Sequence, residues 1–226
     1  MSHRFLLIDT SVFSPTVAVW DAERDALIMT GGQSRRFSEQ MPEEVPSLLS
    51  ALGLQASDIS AVGICSGPGS YTGLRMGASF AKGFCMGLNI PLVAVSRFQL
   101  LSNLARKQVG TQPALLSLID AGRMEVYASY TPANSIVSEI GAPVIIQEDS
   151  FAGIKEETLY YVGNGASKCQ EYFEKRNWKM LEVHEPDASD LCRQVFLSFS
   201  QKKFASIESF EPDYLKEYIP GRVSQS

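Results

Sequence analysis

The stretch GPGSYTGLRMGASFAKG (67–83) joins a predicted buried strand to a predicted helix, and it decides how the chain is organised. The residues before it, ISAVGICSG (59–67), are almost all apolar, which is typical of a strand covered on both faces. A glycine-rich loop that leads into a helix commonly holds phosphate, because free backbone N–H groups meet the positive end of the helix dipole. The alternative is a tight turn that begins a closely packed helix.

The spacing of glycines within the helix, predicted over roughly 71–88, favours packing. Gly73 and Gly77 are four residues apart, so together they remove side-chain bulk from one stripe of the helix. Each glycine costs a helix about 1 kcal/mol relative to alanine, and close packing is the usual compensation. The helix is also apolar around most of its circumference, so it is buried either within its own chain or against another protein. The pattern favours a partner or dimer interface made by Tyr71, Thr72, Gly73, Leu74, Arg75, Met76, Gly77, Phe80, Ala81 and Phe84.

The order of predicted elements suggests a duplication. Three strands in the first thirty residues are followed by alternating helices and strands up to about residue 107. The segment ALLSLIDAGRMEVYASYT (114–131) then repeats the pattern of RFLLIDTSVFSPTVAVWD (4–21): a strand, an Asp, a polar turn and a second strand. We therefore expect two stacked α/β halves, 1–108 and a smaller 109–205, with a cleft between them as the default ligand site.

Composition limits the function classes. The net charge is −5 and the sequence pI is about 5.2, so the chain is a poor candidate for holding a nucleic-acid backbone unaided. No apolar run is long enough for a membrane span. The four cysteines show no CxxC motif and no regular spacing, and the first residues do not resemble an export signal. These features predict a cytoplasmic protein without a membrane segment.

Candidates for catalysis are few. The chain has only two histidines, His3 and His184, far apart in sequence, whereas a zinc or iron site needs three or four ligands in fixed geometry. Ser66, Ser70 and Thr72 flank the glycines, but no histidine in a recognisable motif can act as their base. We predict no catalytic residue and no metal site, and we expect Ser70 or Thr72 to cap the helix.

A set of motifs in fixed order carries a family resemblance: IDTS (8–11), GPGSYTGLR (67–75), AKG (81–83), IPLVAVS (90–96), DAGRMEVYASY (120–130) and PDYLKE (212–217). Together they resemble the TsaB family, also called YeaZ, of the actin, sugar-kinase and Hsp70 (ASKHA) superfamily. The resemblance implies two ribonuclease H-like lobes, each a mixed sheet with flanking helices, the second lobe reduced. It also implies that segment 206–222 packs back on the first lobe, with Tyr214 and Leu215 as anchors.

The resemblance implies a non-catalytic scaffold and dimerisation subunit. Such a subunit supports the transferase TsaD in threonylcarbamoyl transfer to a tRNA adenosine beside the anticodon, works with the ATPase TsaE, and contacts tRNA only through the complex. Alone it forms a homodimer through the region of helix 71–88.

Two enzymatic alternatives stay open at this point. In the superfamily, two facing Asp turns hold ATP, which here points to a kinase or ATPase with vestigial nucleotide contacts at Asp9, Thr10, Ser11 and Asp120. Bulky Arg123 and Met124 in the second turn disfavour this alternative. The older name of the family implies a glycoprotease-like metallopeptidase. No cofactor is predicted, and a nucleotide at a subunit interface stays open.

Overall fold

The computed structural model describes residues 3–31, 37–110, 112–135 and 138–216, which form two mixed β-sheets with helices between and outside them. The first sheet has the strand order β3-β2-β1-β4-β5. Its strands are β1 (Arg4–Asp9), β2 (Thr16–Asp21), β3 (Ala26–Gly31), β4 (Ala61–Gly67) and β5 (Leu92–Ser96). Three helices belong to the same half of the sequence: α1 (Phe37–Ala51), α2 (Tyr71–Leu88) and α3 (Arg97–Val109).

The second sheet repeats this plan with shorter elements. Its strands are β6 (Leu115–Asp120), β7 (Glu125–Thr131), β8 (Glu139–Ile140), β9 (Val144–Ile145), β10 (Leu159–Val162) and β11 (Trp178–Leu181). Two helices follow β10: the single turn α4 (Gln170–Phe173) and the longer α5 (Ala188–Ser200). The strand order is β11-β10-β6-β7-β8, and β9 also pairs with β7.

The two sheets share a pairing scheme, which confirms the predicted α/β class with two mixed sheets. In the first, β1 pairs antiparallel with β2 and parallel with β4. In the second, β6 pairs antiparallel with β7 and parallel with β10. Each sheet therefore presents an Asp-bearing hairpin turn, after Asp9 and after Asp120, at the carboxyl end of its central strand.

The helices form layers on both faces of the first sheet. One face of the first sheet packs against α1 and α2, with Val45, Ala78 and Ile64 in a common core. The opposite face packs against α5, where Val195 lies against Leu7 and Gly63. Helix α3 lies between the sheets, because its apolar residues pack on Leu115, Ile119 and other residues of the second sheet.

Helix α5 corrects the predicted boundary between the halves. The sequence analysis assigns residues 109–205 to the second half, yet Leu191 and Val195 of α5 pack on the first sheet beside Phe5. The apolar periodicity of α5 predicts a buried face but carries no information about which sheet covers it. Trp178–Leu181 forms β11 at the edge of the second sheet, with Trp178 buried.

The C-terminal segment returns to the first sheet. Ala205 forms a β-bridge with Leu92, and Nζ of Lys82 on α2 donates to the carbonyl oxygens of Glu208 and Phe210. Residues 217–222 of the predicted segment 206–222 lie outside the described residues. Within the described ranges, no helix has both the length and the apolar character needed to cross a membrane.

Candidate docking helix and interlobe cleft

Helix α2 begins with a side-chain cap and a backbone tie to the first hairpin. Ser70 is the N-cap, and its hydroxyl accepts a hydrogen bond of 3.3 Å from the amide of Gly73, as predicted for a capping serine. The amide of Ser70 donates to the carbonyl oxygen of Ser11 at 2.8 Å. The glycine-rich loop is thus a turn that attaches the helix to the hairpin after β1.

The glycine stripe of α2 faces its own chain, which corrects the prediction that these glycines make room for a partner. A Cβ on Gly69 would clash with the carbonyl oxygen of Ser11, and one on Gly73 with the carbonyl oxygen of Thr10. A Cβ on Gly77 would clash with Oγ1 of Thr10. The missing side chains therefore allow the hairpin turn to lie directly against the helix.

The predicted interface residues divide into three groups by exposure. Gly73, Leu74, Gly77 and Ala81 are buried within the chain, so they cannot contact a partner directly. Tyr71, Met76, Phe80 and Phe84 are half-buried, and Thr72 and Arg75 are exposed.

The exposed side of α2 also includes residues that the sequence analysis did not assign to the interface. Ser79, Gly83 and Met86 are exposed, and the side chain of Met86 is 66% accessible. Beside them the rings of Phe80 and Phe84 stack with centroids 5.9 Å apart. We call Thr72, Arg75, Ser79, Gly83 and Met86, with their half-buried neighbours, the open face of α2.

An aromatic cluster extends the open face towards the C-terminal segment. The rings of Tyr71 and Tyr214 lie 5.1 Å apart, and the guanidinium of Arg75 lies 5.6 Å from the centre of the Tyr71 ring. Tyr214 remains 37% exposed, so it both anchors the segment and presents surface. Tyrosine and arginine are the residue types that most often carry binding energy in protein interfaces.

A cleft of about 770 Å³ lies between the two Asp-bearing hairpins. Its walls include Asp9, Ser11 and Phe13 from the first hairpin and Asp120 and Gly122 from the second. Thr10, which the sequence analysis grouped with the cleft residues, is absent from these walls because its side chain points at Gly77.

In the first hairpin the Asp9 carboxylate is held by its own chain. Oδ1 accepts from the amide and the hydroxyl of Ser11, at 2.9 and 2.6 Å. Oδ2 accepts from Nη1 of Arg97 at 3.4 Å, and Nη1 also donates to the Ser11 hydroxyl at 3.3 Å. Nη2 of Arg97 forms an ion pair with Glu185. Burial would lower the pKa of Arg97, but the charges of Asp9 and Glu185 raise it, so the guanidinium stays charged.

In the second hairpin, Lys168 is the cation that pairs with the aspartate. Its ammonium group forms an ion pair with Asp120, whose Oδ1 also accepts from the amide of Gly122. Partial burial would raise the pKa of Asp120, but the hydrogen bonds from Lys168 and Gly122 and the charge of Lys168 lower it. Both cleft aspartates are thus paired with cations of the chain, and neither Arg97 nor Lys168 was recognised from the sequence.

Two other polar groupings have structural roles. His184, Asp187 and Asp190 are the one group among the described residues spaced for a metal ion, but Asp187 and Asp190 form the capping box of α5 and His184 bonds to Asp190. Ser66 donates to Asp213 at 2.7 Å. Ser66 therefore holds the C-terminal segment rather than pairing with a histidine base.

Comparison with known proteins identifies the family. A family model described as "TsaD: tRNA N6-adenosine threonylcarbamoyltransferase" matches residues 30–221. The chain belongs to this family. TsaB of Haemophilus influenzae, named a tRNA threonylcarbamoyladenosine biosynthesis protein, is 25% identical over 96% of this chain and 97% of its own. Its namesake in Escherichia coli is 27% identical over 96% of both chains. These relatives confirm the resemblance to TsaB predicted from the motifs.

A transferase is also similar to part of the chain. The tRNA N6-adenosine threonylcarbamoyltransferase of Nitratidesulfovibrio vulgaris (strain DP4) is 34% identical over 52% of this chain and 34% of its own length. Among solved structures, YeaZ from Pseudomonas aeruginosa superimposes with a TM-score of 0.71 at 21% identity, over 94% of this chain and 99% of its own. A sugar-kinase-like protein of Listeria monocytogenes shares the fold at a TM-score of 0.53 and 10% identity, over 88% and 99%.

Proposed function

We propose that this chain acts in the biosynthesis of threonylcarbamoyladenosine in tRNA as a non-catalytic subunit that docks a TsaD-like transferase through the open face of α2. The full-length similarity to TsaB proteins supports the pathway. The observation that carries the scaffold role is the pairing of both cleft aspartates with Arg97 and Lys168. A metal–nucleotide site needs negatively charged carboxylates at this position, and here the chain's own cations already neutralise both of them.

The open face has the composition expected of a surface that docks another protein. It combines exposed Met86 and half-buried Phe80 and Phe84 with the stacked Tyr71, Arg75 and Tyr214. Apolar and aromatic surface with a few polar groups is typical of the centre of a protein interface. The proposal includes a cytoplasmic location, self-association through the same face when the partner is absent, contact with a TsaE-like ATPase, and contact with tRNA through the assembled complex, because the chain itself is acidic.

The test is reconstitution with the transferase from the same organism. We expect the two chains to co-purify and tRNA modification to depend on both. Met86→Glu should weaken the complex by about tenfold or more, because it places a charge in an apolar contact. Met180→Glu is the matched control: Met180 is 37% exposed on β11, the edge strand of the second sheet. Failure of the two chains to associate, or an equal effect of the two variants, would refute the proposed docking face.

A further inference from the structure

Among the residues that the structure describes, Arg97 is the largest fully buried side chain, with an accessibility of 2%. It does not belong to the open face of α2, and its ion pair with Asp9 closes the floor of the cleft. Burying a guanidinium is costly, and a pair of this kind is weak evidence for stability alone. Its position suggests a more specific role.

The hairpin turn held by Arg97 is the surface on which α2 rests. Arg97 fixes Asp9 and Ser11 by hydrogen bonds from one nitrogen, Nη1. On the other side of the same turn, the Ser11 carbonyl accepts from the amide of Ser70, and Thr10 fills the space beside Gly73 and Gly77. Because the glycines of α2 place no side chain of the helix against the turn, a small shift of the turn must move the first two turns of α2.

We infer that Arg97 is a positioning residue for docking: by clamping Asp9 and Ser11 it sets the place of the first half of α2, and so the shape of the open face. This inference rests on the proposed function. It implies that a change in the hydrogen bonds of Arg97 to Asp9 and Ser11 also changes the position of α2. Glu185, at the cleft wall and half exposed, completes the clamp from the segment before α5.

The chain offers an internal control for this inference. Lys168 pairs with Asp120 in the second hairpin as Arg97 pairs with Asp9 in the first. Gly73 and Gly77 of α2 lie against Thr10 of the first turn, whereas a Cβ on Gly122 of the second turn would meet nothing within 4 Å. Loss of Lys168 should therefore leave α2 undisturbed.

The experiment compares Arg97→Met, Arg97→Lys and Lys168→Met by affinity for the transferase and by amide hydrogen exchange. For Arg97→Met we expect about a tenfold loss of affinity and faster exchange at residues 73–77 than at 115–120. Arg97→Lys should restore part of both, since it keeps the charge beside Asp9. Lys168→Met should change neither affinity nor exchange in α2.

The outcomes distinguish a failure of the proposed function from a failure of the inference about Arg97. If the wild-type chain does not bind the transferase, the proposed function fails, and the exchange data still test the link between Arg97 and α2. If the wild type binds and folded Arg97→Met binds equally well with unchanged exchange at 73–77, the inference is overturned. Should Arg97→Met fail to fold, Ser11→Ala, which removes one hydroxyl of the clamp, decides by the same exchange measurement: faster exchange at 73–77 supports the inference and unchanged exchange overturns it.

Discussion

Ser66 and Asp213, 147 positions apart in the chain, are joined by a hydrogen bond of 2.7 Å from the serine hydroxyl to Oδ2 of the aspartate. The amide of Asp213 also donates to the carbonyl oxygen of Ser66, at 2.8 Å. This pair holds the C-terminal segment against the end of β4, next to the loop that begins α2. It thereby places Tyr214 beside Tyr71 on the open face.

The Asp213 pair predicts a pH-dependent stability. Burial raises the pKa of Asp213 above its ordinary value of 3.8, and the Ser66 hydrogen bond offsets this only in part. A raised native pKa means that the folded chain binds the proton more tightly than the unfolded chain does. The contribution of Asp213 to the free energy of unfolding therefore falls as the pH rises from about 3.8 through the native pKa. Asp213→Asn should therefore be at least as stable as the wild type at pH 7, with the difference shrinking towards pH 4. Denaturant unfolding at several pH values measures it; a deficit of the variant that grows with pH would contradict the argument.

Glycine-to-alanine substitutions at two positions of α2 should change the stability of the fold in opposite directions. Gly73→Ala should destabilise the fold by about 1–3 kcal/mol, because its Cβ would overlap the carbonyl oxygen of Thr10, a backbone atom that cannot rotate away. Gly83→Ala, in the same helix, should stabilise it by about 0.5–1 kcal/mol, because its Cβ meets nothing and alanine favours the helix. Thermal and urea unfolding of both variants test this. Equal effects would show that helix propensity alone governs these positions.

All four cysteines are predicted to be unreactive in the folded chain. Burial raises the pKa of Cys65 and of Cys169 to about 12, and that of Cys85 and of Cys192 to about 11. The thiolate is the reactive form, so a thiol reagent at pH 8 should label none of them until the chain unfolds. Ellman titration with and without guanidinium measures this. Rapid labelling of one thiol in the native protein would contradict the prediction for that cysteine.

The paired aspartates predict that the isolated chain does not bind Mg²⁺–ATP in its cleft. Arg97 and Lys168 neutralise Asp9 and Asp120, so a magnesium ion in the cleft would have to compete with a cation of the chain at each carboxylate. Calorimetric titration of Mg²⁺–ATP into the chain should give no binding heat at micromolar to millimolar ligand. Saturable binding with hydrolysis would instead favour the kinase or ATPase alternative, and a loss of that binding in Asp9→Asn would locate it in the cleft.

Local patterns in the sequence were sufficient to predict much of this architecture. The bounds of β1, β2 and α2 follow from β-rich apolar runs between polar turns, from capping and from the glycine-rich loop, all of which depend on neighbouring residues. The repeated strand–Asp–turn–strand pattern likewise predicted two hairpins and a cleft between them. The family motifs, which are also local, identify a relative of TsaB.

What the sequence left open depended on contacts between distant residues. Arg97 reaches Asp9 across 88 positions, Lys168 reaches Asp120 across 48, and neither pair has a local signature. For the same reason the glycine spacing in α2 showed that something approaches the helix closely, but not that it is Thr10 of the same chain. The periodicity of a helix determines that it has a buried stripe. Only the tertiary structure decides what covers that stripe and which face is left for a partner, because packing joins residues that the sequence keeps apart.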